Sequence, residues 1–516
     1  MLTIDTFPDD VLREIFAFCV SCPDDHPERR MHGWKSLAQV CRRWQETIYA
    51  SPRYLDLFLY FSNGDTIAGT LDRWPELPLI ISYSISDKRD DNLYKSLAQR
   101  DRIRRIQLFI SKLPFKTNWI AKPMKQQFPL LTHLDLKGDP PNDKLCDVPH
   151  ISLDQCLGGS APSLQHLCVD NFHYEYEGLP SLLSSAPNLI SLQIKNIHLI
   201  CYMSPEEMVR ALAGLTKLRD LCIEFSTLES ESYEFHDELK LRTPQSPPLV
   251  VIFPALTKFQ MGGDNEYLEH FMALVNAPRL ENLSVEYPKL DVDGLYGMDD
   301  SEINLDAGNL SQFISCTATF EHAQFRRVEL ILDRYRTYVN FDLPHGECQQ
   351  ARLSLAVSQM ESREGPSIDT ASDLSHVLGQ LAIMFSDVQH LSIKGMSPED
   401  KGNRNSVKLG LVLVPFFRSF PAVDVLHVSQ TLARDVVSAL KNMPEMVAEV
   451  LPALQVLWLD GHRKNRLILP TERFLSLRKQ AGRSVVVVTS RKMFVKTLNP
   501  HQMELSESPP VSLDGT

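Results

Sequence analysis

Four residues near the N-terminus have types and spacing that could bind a metal. Cys19 and Cys22 are separated by two residues, and His26 and His32 follow them. Thiolate and imidazole groups are the usual ligands of structural zinc. This spacing matches no common zinc module, and Cys19 extends the apolar face of a predicted helix. We therefore expect no metal site here, and nothing else in the sequence indicates a cofactor.

Sequence motifs for nucleotide binding or hydrolysis are also missing. The chain contains no glycine-rich dinucleotide fingerprint, phosphate-binding loop, serine nucleophile elbow or HExxH motif. Its 16 histidines show no pairing that indicates catalysis. We assign no catalytic residue and expect no enzyme. Folding can still assemble a triad from distant residues, so an enzyme with a site built from scattered loops stays open as a third hypothesis.

A basic stretch near the C-terminus is the more informative chemical feature. Residues 461–496 carry a net charge of +9, whereas the whole chain carries −12. The residues of the candidate basic partner surface are Arg463, Lys464, Arg466, Arg478 and Lys479. The simpler interpretation is a solvated helix face and strand rim. The alternative is a surface that binds an acidic or phosphorylated partner segment through charge-assisted hydrogen bonds.

Length and composition restrict the class of protein. A chain of 516 residues is too long for one ordinary compact core, and 43% hydrophobic residues rule out wholesale disorder. Its negative charge makes it a poor general binder of nucleic acid. No apolar run reaches about 18 residues and the N-terminus does not look like a secretory signal. We expect no membrane segment and a cytoplasmic or nuclear location.

The segment from residue 7 to residue 52 predicts two amphipathic helices joined by a long polar loop over residues 20–33. Pro8 can begin the first helix, because its missing N–H costs nothing in the first turn. The apolar face of this helix is formed by Val11, Leu12, Ile15 and Phe16. The second helix repeats the spacing with Leu37, Val40, Cys41, Trp44 and Ile48. So short a segment rarely encloses a core of its own, so part of this apolar surface must contact the rest of the chain or another protein.

The same positions resemble an F-box. The residues that carry the resemblance are Phe7-Pro8, Val11-Leu12, Ile15-Phe16, Leu37, Val40-Cys41-Arg42, Trp44 and Ile48. The continuation, ASPRYLDL (50–57) and TLDRWPELPLII (70–81), is similar to that of F-box proteins common in fungi. Two features depart from the family: Phe7 stands where leucine is usual, and the polar loop is long.

The resemblance implies a function. F-box proteins bind the Skp adaptor of a cullin–RING ubiquitin ligase and hold a substrate with a second domain. The partners implied are a Skp-type adaptor, its cullin complex and an unknown protein substrate. The residues implied in or beneath the adaptor contact are Phe7, Pro8, Val11, Leu12, Ile15, Phe16, Val40, Cys41 and Trp44. The alternatives are helices that only cap the next domain, and a non-catalytic interaction scaffold without a role in ubiquitination.

A recurrent motif occupies much of the remaining chain. Each copy has a small residue, Phe or Leu, then Pro, any residue, an apolar residue, two more residues and a short predicted strand. The clear copies begin at residues 128, 161, 186, 253, 277, 420 and 451. Looser copies without proline contain Leu218, Phe325 and Val388. The pattern resembles leucine-rich repeats with irregular spacing, in which parallel strands alternate with helices.

The predicted fold class is α/β. An N-terminal all-α F-box helical domain (1–52) precedes an irregular leucine-rich-repeat-like α/β solenoid with a parallel sheet (53–496) and a disordered tail (497–516). Helices are predicted at 204–215, 266–276, 371–385 and 433–443, and the last strand at 484–490. Polar insertions at 229–248, 287–302, 360–372 and 397–406 are expected to form loops.

Overall fold

The protein is described by a computed structural model that covers residues 7–20, 27–52, 55, 57–63, 70–71, 77–85, 90–110, 118–138, 156–171, 178–197, 201–225, 250–289, 305, 307–321, 325–332, 336–342, 352–359, 368–395, 413–433, 436–437, 440, 449–460 and 468–489. These residues form a mixed α/β protein with mostly parallel β-structure, which confirms the coarse prediction. The chain divides into two compact units: unit 1 comprises Met1–Met298 and Asp306–His322, and unit 2 comprises Asp299–Leu305 and Ala323–Thr516. The predicted tail and most of the predicted insertions lie outside the described residues.

Three helices, rather than the predicted two, begin unit 1: α1 (Asp9–Val20), α2 (Pro27–Ala38) and α3 (Arg42–Tyr49). Residues 27–33, predicted as loop, are the first turns of α2. The predicted second helix is interrupted because the N–H groups of Gln39 and Val40 donate to the carbonyls of Ser36 and Leu37, three residues earlier, at 3.1 and 3.2 Å. This tighter turn ends α2. Cys41 is extended, and its Sγ accepts a hydrogen bond from the Trp44 N–H at 3.5 Å, so it caps α3.

The order of the strands in the parallel sheet of unit 1 is the order in which they occur along the chain, except that β8 (Val251–Ile252) and β10 (Val275–Asn276) are not part of it. Its strands are β1 (Leu59–Phe61), β2 (Leu79–Ile85), β3 (Ile103–Ile110), β4 (His133–Gly138), β5 (His166–Asp170), β6 (Ser191–Ile197), β7 (Asp220–Phe225), β9 (Lys258–Gly262) and β11 (Asn282–Lys289). They pair in that order, and every neighbouring pair is parallel. A separate two-stranded parallel sheet joins β8 to β10.

Helices of unit 1 alternate with these strands. They are α4 (Asp91–Leu97), α5 (Asn118–Met124), α6 (Gly178–Ser184), α7 (Pro205–Leu212), α8 (Asn265–Leu274), α9 (Gly308–Ser315) and α10 (Ala318–Glu321). The predicted helix at 204–215 is confirmed as α7, and Ser204 forms a capping box with Glu207 at its start. Glu269 of α8 accepts hydrogen bonds from the N–H groups of Asn309 and Leu310, and so caps α9 from a neighbouring helix.

The recurrent motif forms the same turn in successive copies. The Leu131 N–H bonds to the Phe128 carbonyl at 3.1 Å, and the Leu164 N–H bonds to the Ala161 carbonyl at the same distance. Proline occupies the second position of such a turn, where its fixed φ is favourable. The apolar residue at the fourth position is buried, and the strand begins two residues later.

Strand register explains why the motif repeats at fixed positions. Leu134, Leu167 and Leu192 are directly aligned on β4, β5 and β6, and all three are buried. Alternate residues of a strand face opposite sides of a sheet. The apolar positions of the motif therefore form continuous rows on the core side, and the polar residues between them lie on the other side, here called the open face of each sheet.

Unit 2 repeats this arrangement with a difference that the sequence did not predict. Its strands are β12 (Arg327–Leu332), β13 (Arg336–Asp342), β14 (Arg352–Gln359), β15 (His390–Gly395), β16 (Val425–Val428), β17 (Val456–Leu459) and β18 (Val486–Thr489). The series β12-β15-β16-β17-β18 is parallel. On its other side β12 continues into an antiparallel meander with β13 and β14.

The helices described without a gap in unit 2 are α11 (Ile368–Gln380), α12 (413–418) and α13 (Ile468–Gln480). Residues 433, 436, 437 and 440, which belong to the predicted helix at 433–443, are also helical. A 3-10 turn, Ala382–Phe385, follows α11. Gly482 ends α13 with a positive φ of 75°, and the Arg483 N–H bonds back to the Arg478 carbonyl. This C-cap directs the chain into β18, which confirms the last predicted strand. No helix in the described residues of either unit is long and apolar enough to span a membrane.

Candidate functional site

The inner side of the three N-terminal helices is a small core. Leu12 and Phe16 of α1 and Ile48 of α3 are fully buried. The Phe16 and Trp44 rings lie 4.9 Å apart between centroids, tilted by 58°. These contacts fix α3 against α1, so Leu12 and Phe16 lie beneath the surface rather than on it.

Arg43 fastens the start of α1 to α3. Its Nη2 donates to the Phe7 carbonyl at 2.6 Å and to Asp9 Oδ1 at 2.7 Å, and its Nε also donates to Asp9 Oδ1 at 3.2 Å. The ion pair is largely exposed, so it adds little stability. Its contribution is geometric, because a planar guanidinium with two directed bonds holds the Phe7–Pro8 segment beside α3.

The outer side of the same helices carries apolar side chains that face solvent. Phe18 is 84% exposed, Val40 60%, Val11 38% and Phe7 37%. Pro8 and Cys41 are also exposed. We call Phe7, Val11, Phe18 and Val40 the outer apolar patch. Large exposed apolar residues mark an interaction site where they form one contiguous surface, whereas single ones are common on any protein.

The predicted site residues therefore divide between two layers. Phe7, Pro8, Val11, Val40 and Cys41 are exposed, whereas Ile15 and Trp44 are half-buried. Leu12 and Phe16 belong to the inner layer.

Phe18 was missed by the sequence analysis, although a signal was present. It follows Val11 by seven residues, and residues two helical turns apart lie on the same side of a helix. Val11 and Leu12 had been placed on one face, but α1 directs Leu12 inward and Val11 outward.

The cysteine–histidine group near α1 has only two described members. Cys19 is exposed, although it follows the buried Leu12 by seven residues on the same side of α1. His32 lies on α2 and pairs with Glu28 at 3.8 Å, with both side chains largely exposed. Cys22 and His26 lie outside the described residues. Among the residues that the structure covers, no group of three or more His, Cys, Asp or Glu could hold a metal ion.

Of the candidate basic partner surface, the structure describes only Arg478 and Lys479. Arg478 is fully buried, which corrects its assignment to a surface. Its guanidinium donates to the carbonyls of Leu451 at 3.0 Å, Leu454 at 3.2 Å and Val450 at 3.4 Å. Burial, and then the nearby Arg483, lower the pKa of Arg478. Lys479 is exposed as predicted; Arg463, Lys464 and Arg466 lie outside the described residues.

The open face of unit 2 brings together a serine, a histidine and a carboxylate. Ser392 Oγ lies 3.4 Å from His427 Nδ1, and His427 Nε2 lies 2.9 Å from Asp460 Oδ2. A shallow cavity of about 330 Å³ beside them is lined by Arg327, Val328, Glu329, His390, Leu391, Ser392, Val425 and His427. Backbone groups at this point of β15 and β16 lie within the strand ladder, so they are poorly placed to stabilise an oxyanion.

The open face of unit 1 carries a stacked pair of histidines. The rings of His133 and His166 lie 4.2 Å apart and nearly parallel. Burial, and then the neighbouring Arg105, lower the pKa of His133 to about 3. Burial, followed by Arg105, also lowers the pKa of His166. Both rings are therefore neutral at physiological pH, which allows them to stack.

Comparison of the chain with protein-family models and with curated proteins finds no match in either case.

Proposed function

We propose that this protein is the substrate-receptor subunit of a Skp–cullin–F-box ubiquitin ligase. In this proposal α1, α2 and α3 form the F-box and bind a Skp-type adaptor. The repeat strands and their connections form a leucine-rich-repeat-like solenoid that holds a target protein. Other subunits would transfer ubiquitin, in the cytoplasm or nucleus. The observation that carries the proposal is the outer apolar patch on an otherwise well-packed helical unit.

The balance between buried and exposed apolar residues favours a binding role for the helices. Leu12 and Phe16 already supply a core, so Phe18 and Val40 are not needed to stabilise the helices. Burying apolar surface contributes about 25 cal/mol per Å², and that free energy becomes available only when another molecule covers the patch. Helices that merely capped the next domain would turn these side chains toward it.

The arrangement of the helices is also suited to binding without rearrangement. Arg43 holds the Phe7–Pro8 segment, and the Phe16–Trp44 contact holds α3. A preorganised surface loses less conformational entropy on association. Trp44 therefore supports the patch more than it contributes exposed area.

The strand order supports the repeat part of the proposal. Successive strands of unit 1 pair with their predecessors, and equivalent positions of the motif are aligned across them. Such nearest-neighbour stacking is the arrangement expected of solenoid repeats. The polar residues on the open faces and in the turns would then be available to a target.

Adaptor binding tests the proposal directly. Val40→Glu and Phe18→Glu place a charge in the outer apolar patch and leave the inner core intact. If the patch binds the adaptor, each change should cost about 2 kcal/mol or more, roughly a 30-fold loss of affinity for purified Skp-type adaptor. Lys95→Glu, at an exposed position of α4, is the control with the same new side chain.

The test substitutes exposed residues because a change at a buried residue would also affect folding. Leu12→Ala would remove a fully buried side chain, so its loss of binding would report on folding. Adaptor affinity that is unchanged in both patch variants, measured by calorimetry on folded protein, would exclude the outer apolar patch as the contact.

The alternative within the same class is an interaction scaffold that binds its partner without ubiquitination. Cells that carry Val40→Glu should accumulate the target if the protein is a substrate receptor. A scaffold would leave target half-life unchanged, because its role does not depend on the adaptor.

A second candidate function is hydrolysis of an ester at Ser392. The observation that favours it is the Ser392–His427–Asp460 arrangement beside a cavity. His427 would take the serine proton as Oγ attacks the carbonyl carbon, and would return it to the leaving alcohol, which leaves an acyl-serine. His427 would then take a proton from a water that attacks this acyl group, and return it to Ser392 Oγ as the acid leaves. Labelling by a fluorophosphonate that is lost in Ser392→Ala and retained in Ser354→Ala would support this function; no labelling of the wild-type protein would exclude it.

A further inference from the structure

The strand β18 has an unpaired edge within the described part of the chain. It pairs in parallel with β17, through the register Val456–Val486, Leu457–Val487 and Trp458–Val488. The Val486 N–H donates to the Gln455 carbonyl at 2.7 Å, toward β17. Backbone groups of successive residues point to opposite edges of a strand, so the N–H and carbonyl of Val487 face away from β17. Those groups are placed to bond to one more strand.

The side chains of β18 are less buried than the residues aligned with them. Leu426 and Leu457 are fully buried on the core side of β16 and β17, but the aligned Val487 is only half-buried. The core row is thus incompletely covered at this edge. An additional strand would complete it.

The open face next to this edge is apolar. Trp458 is 38% exposed, and the aligned Val488 and the neighbouring Val486 are half-buried. Trp458 meets the His427 ring edge-on, with centroids 6.2 Å apart. A partially exposed tryptophan flanked by valines has the composition of an interface hot spot.

The described residues that lead into β18 include several exposed basic side chains. Arg473, Lys479 and Arg483 are exposed, and among the described residues of α13 and its C-terminal turn Glu472 is the only acid. Arg483 lies two residues from the stretch of valines and also donates to the Pro452 carbonyl at 3.0 Å. Positive charge on the residues that lead into β18 should therefore attract an acidic segment and disfavour pairing with a second copy of the same edge.

We propose that the edge of β18 binds an extended segment of a partner protein as an added β-strand, and that this segment has acidic residues flanking an apolar centre. Main-chain bonds to Val487 would supply affinity, and side chains beside Val486 and Val488 would supply specificity. The identification of that partner as a ubiquitination target rests on the proposed function. The binding itself does not.

Fluorescence anisotropy with synthetic peptides tests the proposal on the full chain. The probe is a labelled peptide of alternating valine and threonine with acidic residues at both ends. Two matched peptides isolate the two contributions: one has lysines at both ends, and the other has N-methyl groups on alternate amides, which block strand pairing. We expect each to bind at least tenfold more weakly than the probe. Equal binding of the N-methylated peptide would overturn strand addition.

Variants of the protein give the complementary test. Val487→Pro removes the outward N–H, and proline is tolerated on an edge strand where that N–H faces solvent. Val488→Glu is a second variant that keeps the outward N–H of Val487 and places on the open face a negative charge that repels the acidic ends of the probe. Both should weaken binding of the probe at least tenfold, while Lys95→Glu should not change it. A folded Val487→Pro protein, judged by thermal melting, that binds as tightly as wild type would overturn the proposal.

Two further readouts separate the competing explanations. Light scattering that shows self-association, abolished by Val487→Pro, would make a second copy the occupant and overturn the acidic partner. Skp-type adaptor binding should be unaffected by Val487→Pro. If Val40→Glu loses adaptor binding but still binds the peptide, the two sites exist and are independent. If the wild-type protein binds the adaptor but not the peptide, only the strand-addition site is overturned.

Discussion

Arg478 shows how one residue can have a role opposite to that indicated by its neighbours in the sequence. It belongs to a run of basic residues, yet its side chain is buried and donates to three carbonyls at the turn around Leu451. Hydrogen bonds from a charged donor contribute about 1.5–3 kcal/mol. The residue ties α13 to the preceding strand connection, so it stabilises the same edge of unit 2 that carries β18.

Replacing Arg478 should therefore destabilise the protein strongly. Arg478→Met keeps much of the apolar volume but leaves the carbonyls of Val450, Leu451 and Leu454 without this donor. We expect the free energy of unfolding to fall by about 2–4 kcal/mol in urea titration. Lys479→Met, at the next position but exposed, should change it by less than about 0.5 kcal/mol. Equal effects of the two changes would contradict a structural role for Arg478.

His133 should make stability depend on pH. Its pKa is lowered from 6.5 to about 3 by burial first, then by Arg105, His166 and Arg104. In the unfolded chain the imidazole binds a proton below about pH 6.5, whereas in the folded protein it stays neutral until about pH 3. The unfolded state thus binds more protons in this window, and stability decreases as pH falls through it.

We expect a loss of about 1–2 kcal/mol from this group between pH 6.5 and pH 4. The lowered pKa would by itself correspond to a larger loss, since each pKa unit is worth about 1.4 kcal/mol. We expect less because the ring is partly exposed, so solvent screens its interactions. His133→Gln should flatten the decline measured by chemical denaturation. His376→Gln, an exposed histidine of α11, is the control. An unchanged slope in His133→Gln would show that another group causes the pH dependence.

Among the elements, the proline-containing turn that precedes seven of the described strands is the unit that repeats. Its buried fourth residue and the hydrogen bond across the turn place each strand next to its predecessor. Two adjacent leucines in one turn allow the contribution of the buried side chain to be measured apart from that of the turn. Leu131 is buried at the fourth position, whereas Leu130 at the third position is 52% exposed. Replacing each leucine by alanine makes the same chemical change at both sites, so a difference in the free energy of unfolding reports the burial of the side chain.

Leu131→Ala should lower the free energy of unfolding by about 2–4 kcal/mol, because it removes buried methyl groups and leaves a cavity. Leu130→Ala should cost less than about 1 kcal/mol. Thermal and urea denaturation of the two variants would measure the difference. Similar losses would mean that the turn, rather than the buried side chain, holds the repeat together.

The N-terminal helices are also part of the packing of unit 1. Met31 Sδ accepts a hydrogen bond from the Tyr60 N–H at 3.1 Å, and the Arg30 guanidinium lies 5.5 Å above the Phe58 ring. Met31 and Trp34 are both buried. α2 therefore covers the first strand of the sheet, while the outer apolar patch on α1 and between α2 and α3 remains exposed.

For the whole molecule this predicts that removing residues 1–52 does more than abolish adaptor binding. The deletion would expose Leu55, Phe58 and Leu59 at the beginning of the sheet, which are buried in the intact protein. We expect a lower midpoint of thermal unfolding and increased binding of a hydrophobic dye. Val40→Glu, which leaves α2 in place, should keep the wild-type midpoint. A deletion variant as stable as wild type would show that the helices are an independent appendage.

The positions of the parallel strands could be predicted because the motif combines three local signals. A proline turn, a buried apolar residue and alternating apolar positions all indicate the same start of a strand, as at Leu131–Leu134–Leu136. The antiparallel meander β12–β14 could not be predicted in this way. Alternation of apolar residues indicates that a segment is a strand, but it does not show which strand it pairs with or whether the pairing is parallel or antiparallel.

The same contrast applies to the candidate sites. Sequence alone identified a surplus of apolar residues in the first 52 positions and a basic stretch near the C-terminus, because composition and helical spacing are local properties. Only the tertiary structure decided that Leu12 points inward and Phe18 outward, that Cys41 caps α3, and that Arg478 is buried while Lys479 is not. These outcomes depend on which surface each helix packs against, and that surface is supplied by residues distant in the chain.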